Sequence, residues 1–323
     1  MVMTEKFMPN TTMTTEIPKT DLFSLVGNTP LLPLNRIGKR LGSHVQIYAK
    51  AEWFNPGGSV KDRAAMFIIQ DAVARGLMTP GKRLLDSTSG NTGIAYATLG
   101  VLMGIPVTLV IPENASPERI KILSTLGAEL VLTDSQEGTD GAMRVAKQMA
   151  KAFPEQYFYA NQYDNPANWR AHFNTTGPEI WEQTEGQITH LVAGMGTAGT
   201  ITGTTRYLKS RSSLIKSVAF HPDSPFHGLE GLKHMPTARK PGNYDHGLPD
   251  ETRQVATEDA YEMVRRLGQE EGLFVGISSG AAAVAALTLA EEIVERGRTG
   301  VVVTVFPDAG YKYLTSDIWS GKR

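Results

Sequence analysis

Short apolar stretches that alternate with helix-length segments restrict this chain to one broad architecture. VQIYAK (45–50) has the length and character of a strand, and NPGGS (55–59) is a turn. VKDRAAMFIIQDAVARG (60–76) has helical spacing and a terminal glycine. RLLDSTSGNTG (83–93) reads as a strand running into a glycine- and hydroxyl-rich turn, and IAYATLGVLMG (94–104) as a helix that tolerates a central glycine. PVTLVIP (106–112) and AELVLT (128–133) read as strands on either side of ASPERIKILSTLG (115–127), a helix opened by Ser116 and Pro117. The pattern resumes at ITHLVAGMGTAGTITGTTRYLKSR (188–211) and IKSVAFHPD (215–223), then at DAYEMVRRLGQEEG (259–272), LFVGISSGAAAVAALTLAEEIVERG (273–297) and VVVTVFPDAGYKYL (301–314). The Pro-, Gly- and His-rich stretch 224–250 holds no regular pattern. Strands joined by helix-length crossovers pair in parallel, so the expected class is α/β, with ligands beyond the carboxyl ends of the strands and between two αβ units.

Composition narrows the function. The 323 residues carry 32 basic and 33 acidic side chains, a net charge of -1 that predicts neither a nucleic-acid nor a membrane-surface partner. With no cysteine there are no disulfides, thiolate metal sites, iron–sulfur clusters or cysteine nucleophile. The seven histidines show no HExxH, and His221, His227, His234 and His246 fall in or beside the irregular stretch, so no metal is expected. Residues 1–20 read as a flexible tail without the apolar core of a signal peptide, with Met13 a candidate start. No later run is expected to reach transmembrane length, and a cytoplasmic location follows as the expectation.

Two turns can bind anions. GMGTAG (194–199) matches G-x-G-x-x-G between an apolar strand and a helix, and Asp223 closes the next strand. A dinucleotide fold is therefore a rival reading. Thr197, Thr200 and Thr202 favour a phosphate instead, and close packing alone is the bland alternative. TSGNTG (88–93) offers Thr88, Ser89 and Thr92 to a second anion such as a carboxylate, or is simply a good turn and helix cap. GISSGAA (276–282) is a third such turn. Lys61 follows NPGGSV at a helix start, where the dipole and burial favour the neutral amine that forms a Schiff base. Most lysines are surface charges, and the residues alone leave that reading open.

Taken together, NPGGSVKDR (55–63), TSGNTG (88–93), NPANWRAHFNTTGPEIW (165–181), GMGTAGTITG (194–203), GISSGAA (276–282) and PDAGYKYLTS (307–316) resemble the cysteine synthase and cystathionine β-synthase family of fold type II pyridoxal-phosphate enzymes. The likeness spans residues 22–319 and is nearest to the B-type bacterial cysteine synthases. It implies two parallel-sheet, three-layer αβα domains like those of the tryptophan synthase β chain. A segment 21–47 would pack on the large domain, with a smaller mobile domain over 48–160 and a larger one over 161–323.

By motif, the resemblance makes Lys61 the lysine that carries pyridoxal 5'-phosphate and serves as general base. Asn91 would bond the cofactor's phenolic oxygen. Gly196, Thr197, Ala198, Gly199 and Thr200 would bind its phosphate, and Ser278 would face its ring nitrogen. Thr88, Ser89, Asn91, Thr92 and Gln162 would hold the substrate. The implied reaction is β-replacement, by way of an α-aminoacrylate, of O-acetyl-L-serine or O-phospho-L-serine with a sulfur donor to give L-cysteine. The implied partners are that amino acid, the sulfur donor (sulfide, thiosulfate or a sulfur-carrier protein) and a second copy in a homodimer. Condensation of serine with homocysteine is the alternative within the class, and a non-catalytic binding protein the alternative outside it. Haem and C-terminal regulatory modules are not expected. Ala198 replaces the threonine or glycine usual at its place, which leaves backbone donation intact. In phosphoserine-using members an arginine in the neighbourhood of GLEGLKHMP (228–236) meets the substrate phosphate; the nearest candidate here is Lys233, a substrate contact or a plain loop charge. His172 and Trp181 are expected as core or dimer-contact residues.

Overall fold

The structure, a computed structural model, describes residues 22–88 and 90–319. The tail expected over 1–20 and Ser89 lie outside the described residues.

Strand β1 (Leu31–Pro33) pairs antiparallel with β2 (Val45–Ala51), and the chain then crosses through the 52–60 turn into helix α1 (Lys61–Ala74). The smaller unit follows: β3 (Arg83–Ser87), α2 (Asn91–Met103), β4 (Val107–Pro112), α3 (Pro117–Thr125), β5 (Glu129–Thr133), α4 (Gly138–Ala152) and β6 (Tyr157–Tyr159). Its strands form a parallel sheet in the order β5-β4-β3-β6. Ala65, Ile68 and Ile69 of α1 pack with α2 and Leu123 of α3 on one face, and Ala142 and Ala146 of α4 cover the other.

Helices α5 (Ala167–Asn174) and α6 (Thr176–Gln183) lead into the larger unit. It continues through β7 (His190–Gly194), α7 (Gly199–Arg211), β8 (Lys216–Pro222), β9 (Glu251–Val255), α8 (Thr257–Arg266), α9 (Ile277–Glu295) and β10 (Gly300–Phe306). The sheet order is β1-β2-β10-β7-β8-β9, parallel except for the edge strand β1. Helices α8 and α9 fill one face, α6 and α7 the other. Two three-layer αβα units result, as the motifs imply. The boundary expected after residue 47 falls inside β2, whose seven residues run parallel to β10 in the large sheet.

Three local differences have physical causes. Helix α2 starts at Asn91 rather than at 94, because Gly90 is its extended N-cap and the polar turn residues form its first turn. Gly100 within it is needed: a Cβ there would lie 2.6 Å from Val107 Cγ2 and 2.7 Å from the Ile105 carbonyl oxygen. Helix α9, 19 residues long, is apolar enough to cross a membrane by length and composition, contrary to expectation. It is mostly buried within the protein, where it packs in the large core.

Candidate active site

The carboxyl ends of the parallel strands direct three turns into one cleft. β3 ends at Ser87 and delivers the asparagine turn to α2, and β7 ends at Gly194 and delivers the glycine loop to α7. After β10, the backbone of Pro307 accepts from Val60 N at 2.8 Å, and Asp308 bridges to Ser59. That contact lays the turn carrying Lys61 against the large sheet, so Lys61 begins α1 pointing at both anion turns.

Lys61, Asn91, Gly196, Thr197, Ala198, Thr200 and Ser278 line one pocket. It continues into a second cleft lined by Lys61, Thr88, Asn91, Thr92, Gln162, Thr197 and Lys233. The structure thus brings together every candidate residue it describes except Gly199, which lies just behind. A Cβ on Gly199 would run into the Asn168 side-chain carbonyl, so glycine there permits the close approach of α5 to α7. Ala198 takes the left-handed conformation (φ 63°, ψ 0°) as the loop enters α7, the kind of turn that gathers backbone N–H groups at a helix start. Thr197 Oγ1 accepts from Asn168 Nδ2 at 3.1 Å, and Thr200 Oγ1 lies 3.2 Å from His172 Nε2. His172 is buried as expected, and burial lowers its pKa to about 3, so a neutral ring backs the loop.

On the carboxylate side, Thr92 donates to Gln162 Oε1 at 2.7 Å across the small unit. The Gln162 backbone N–H and that of Ser87 both donate to buried Asp86, at 3.2 and 2.8 Å. Burial still raises the Asp86 carboxyl to about 7 against those two bonds. Lys233 Nζ sits 4.7 Å from the centre of the Tyr163 ring, and burial lowers its pKa. Arg119, at the start of α3, forms an ion pair with Glu230 across the cleft mouth. Burial also lowers the pKa of Lys61, opposed by the Asp308 carboxylate and reinforced by the charge of Lys312.

Among the side chains at the site that were not singled out from sequence are Asp308, Lys312, Arg119 and Glu230. The first two lie inside the quoted PDAGYKYLTS motif, which was the available signal. Arg119 and Glu230 sit in segments read only as a helix and a loop.

These residues fit a small phosphorylated cofactor that reacts with an amine. The loop at the start of α7 offers backbone N–H groups and two hydroxyls with no carboxylate among its own residues. An amine biased toward neutrality shares the pocket with it, and Ser278 supplies an uncharged hydroxyl at the start of α9. The chain belongs to the pyridoxal-phosphate dependent enzyme family, whose pattern it matches over residues 22–308. It is 51% identical over 302 residues to the cysteine synthase of Aquifex aeolicus (strain VF5), covering 93% of this chain and 92% of that one. To cysteine synthase B of Escherichia coli (strain K12) it is 40% identical over 294 residues, covering 91% and 94%. The crystal structure of cysteine synthase from Entamoeba histolytica superposes with a TM-score of 0.89 at 34% identity, covering 98% of this chain and 95% of that one.

Proposed function

We propose that the protein makes L-cysteine by pyridoxal-phosphate-dependent β-replacement on O-acetyl-L-serine or O-phospho-L-serine. The observation that carries this reading is the convergence of Lys61, the asparagine turn and the glycine loop on one cleft. The names of the relatives support it. When bound, pyridoxal phosphate supplies the electron sink that makes a Cα proton removable and a β-substituent able to leave.

The protein's own residues do the rest. The backbone N–H groups of Gly196, Thr197, Ala198, Gly199 and Thr200, with the two threonine hydroxyls, hold the phosphate. Ser278 would offer the ring nitrogen an uncharged hydroxyl, which does not force protonation there. Thr88, Ser89, Asn91, Thr92 and Gln162 bind the amino-acid substrate, with its carboxylate at the threonine and serine hydroxyls. Lys61 Nζ first holds the cofactor, then takes the proton from Cα and returns it after the sulfur nucleophile adds at Cβ. The burial that lowers its pKa keeps more of the amine in the proton-accepting form near neutrality. Lys233, lying beside Tyr163, adds a positive charge at the substrate end of the cleft. Movement of the smaller unit, whose strands run from Arg83 to Tyr159, over the carboxylate sheds water from the reacting centre. The reading places the enzyme in the cytoplasm as a homodimer, supplied with sulfide, thiosulfate or a protein-borne sulfur donor.

The test is the visible spectrum of the purified protein before and after O-acetyl-L-serine, repeated with O-phospho-L-serine. The expected result is a cofactor band that shifts with release of acetate or phosphate and returns, with cysteine formed, when sulfide is added. No band after added pyridoxal phosphate defeats the reading. Turnover only with serine and homocysteine moves the assignment to cystathionine synthesis.

A further inference from the structure

The side-chain amide of Asn91 is held from both sides. Lys312 Nζ donates to its Oδ1 at 2.7 Å, and its Nδ2 donates to Asp308 Oδ2 at 2.6 Å. An ammonium group cannot accept a hydrogen bond, so the atom facing Lys312 is the amide oxygen. Lys312 Nζ also donates to the Gly57 carbonyl at 2.9 Å, and the N–H of the same Gly57 donates to Asp62 at 2.5 Å. Asp308 is fully buried and accepts a second bond, at 2.6 Å, from the Tyr313 hydroxyl. Three segments therefore meet at one amide: the asparagine turn, the turn before Lys61 and the loop after β10. The Nδ2 group has two protons. Asp308 takes one, and the other is left for a ligand in the pocket that Asn91 shares with Lys61 and Ser278.

We infer that Lys312 and Asp308 are positioning residues that fix Asn91 as a hydrogen-bond donor to the cofactor and pin the asparagine turn to the turn carrying Lys61. The inference rests on the cofactor reading above. Without the Lys312 ammonium only Asp308 still orients the amide, and the tie between the asparagine turn and the turn carrying Lys61 is lost, which weakens the hold on the donor. Lys312 also places a positive charge near Lys61, which works with burial against protonation of that amine.

The test compares full-length wild type with Lys312→Met, which keeps length but loses charge and donors, and Lys312→Arg, which keeps both. Pyridoxal-phosphate affinity is measured by fluorescence titration of the apo protein. The absorbance of the loaded protein is followed from neutral to alkaline pH. Lys312→Met is expected to bind about tenfold more weakly and to shift the pH profile, with Lys312→Arg returning both toward wild type. Wild-type affinity and an unchanged profile in Lys312→Met overturn the inference and leave the cofactor reading standing. A loss that Lys312→Arg does not restore overturns it as well, because side-chain packing rather than donation then accounts for the effect. A wild type that binds no pyridoxal phosphate removes the cofactor reading and this inference together.

Discussion

Arg63 and Glu179 meet through two parallel hydrogen bonds, Nη1 to Oε1 at 2.6 Å and Nη2 to Oε2 at 2.8 Å. The same guanidinium grips Glu52 through Nε at 2.7 Å and Nη2 at 2.9 Å, and Lys50 reaches Glu179 at 2.6 Å. Two cations and two carboxylates thus balance behind the first turn of α1, two residues from Lys61. Removing one member leaves buried charge uncompensated. Arg63→Met is expected to cost about 3–5 kcal/mol, read as a lower midpoint in urea unfolding.

Glu52 sets an acid limit on stability. Burial pushes its carboxyl up, but the charge and hydrogen bonds of Arg63 outweigh burial and bring it from 4.5 to about 2. The folded-state value lies below the unfolded one, so the unfolded chain takes up the proton first as pH falls. The stabilisation is full above 4.5 and is lost as pH falls toward 2. The stability gap between wild type and Glu52→Gln is therefore expected to be widest near neutral pH and to narrow across that window in urea titrations. A gap that is constant with pH contradicts the assignment.

Lys61→Ala is expected to abolish the cofactor's lysine-linked visible band and to lower kcat by at least about 10²–10⁴-fold. Absorbance and steady-state rates measured on one preparation check both parts.

At Ala198 the positive φ makes side-chain choice a backbone question. A β-branched residue fits this region worst, so Ala198→Val is expected to lose roughly 1–2 kcal/mol and to weaken phosphate binding. Ala198→Gly relieves the strain and is expected to keep cofactor affinity. Thermal melts of the apo protein separate the strain from the ligand effect.

Gln162 accepts from Thr92 and lines the cleft together with Thr88 and Lys233. Gln162→Ala is expected to raise KM for the amino-acid substrate about tenfold or more with a smaller change in kcat, the pattern of lost ground-state binding. An equal fall in kcat and kcat/KM places Gln162 in the chemical step instead.

Local signals carried much of this site. The strands before 88 and before 195 and the helices after them are visible as period and punctuation, and the two anion turns sit where those periods change. Lys61 needed the assembled motifs, because one lysine at a helix start has no local distinction. The stretch 134–187 received no elements, although α4, β6, α5 and α6 lie there. β6 has only three residues, and α5 and α6 abut with Thr175 between them, so none of the three shows a long uninterrupted period. The Lys50–Glu52–Arg63–Glu179 cluster was equally hidden, since its members come together only through tertiary packing. Lys312 and Asp308 sat in plain view inside a quoted motif. Their bearing on Asn91 depends on a contact across more than 200 positions.

The position of β10 between β2 and β7 has a consequence for how this chain is born. The smaller sheet uses only strands from Arg83 to Tyr159, so it can assemble while the ribosome is still making the remainder. The larger sheet cannot be completed so early, because β10 joins β1 and β2 to β7, β8 and β9. Among the described residues β2, one of the first strands to emerge, has β10 as its only parallel neighbour, and β10 is the last strand in chain order. Until β10 arrives, the apolar residues of β2 and of the newly made α9 lack their final cover. Non-local pairing of this kind is slow and leaves apolar surface open to wrong partners. Completion of the larger unit therefore waits on its last-made strand even where the smaller unit has already formed, a natural point for chaperone engagement.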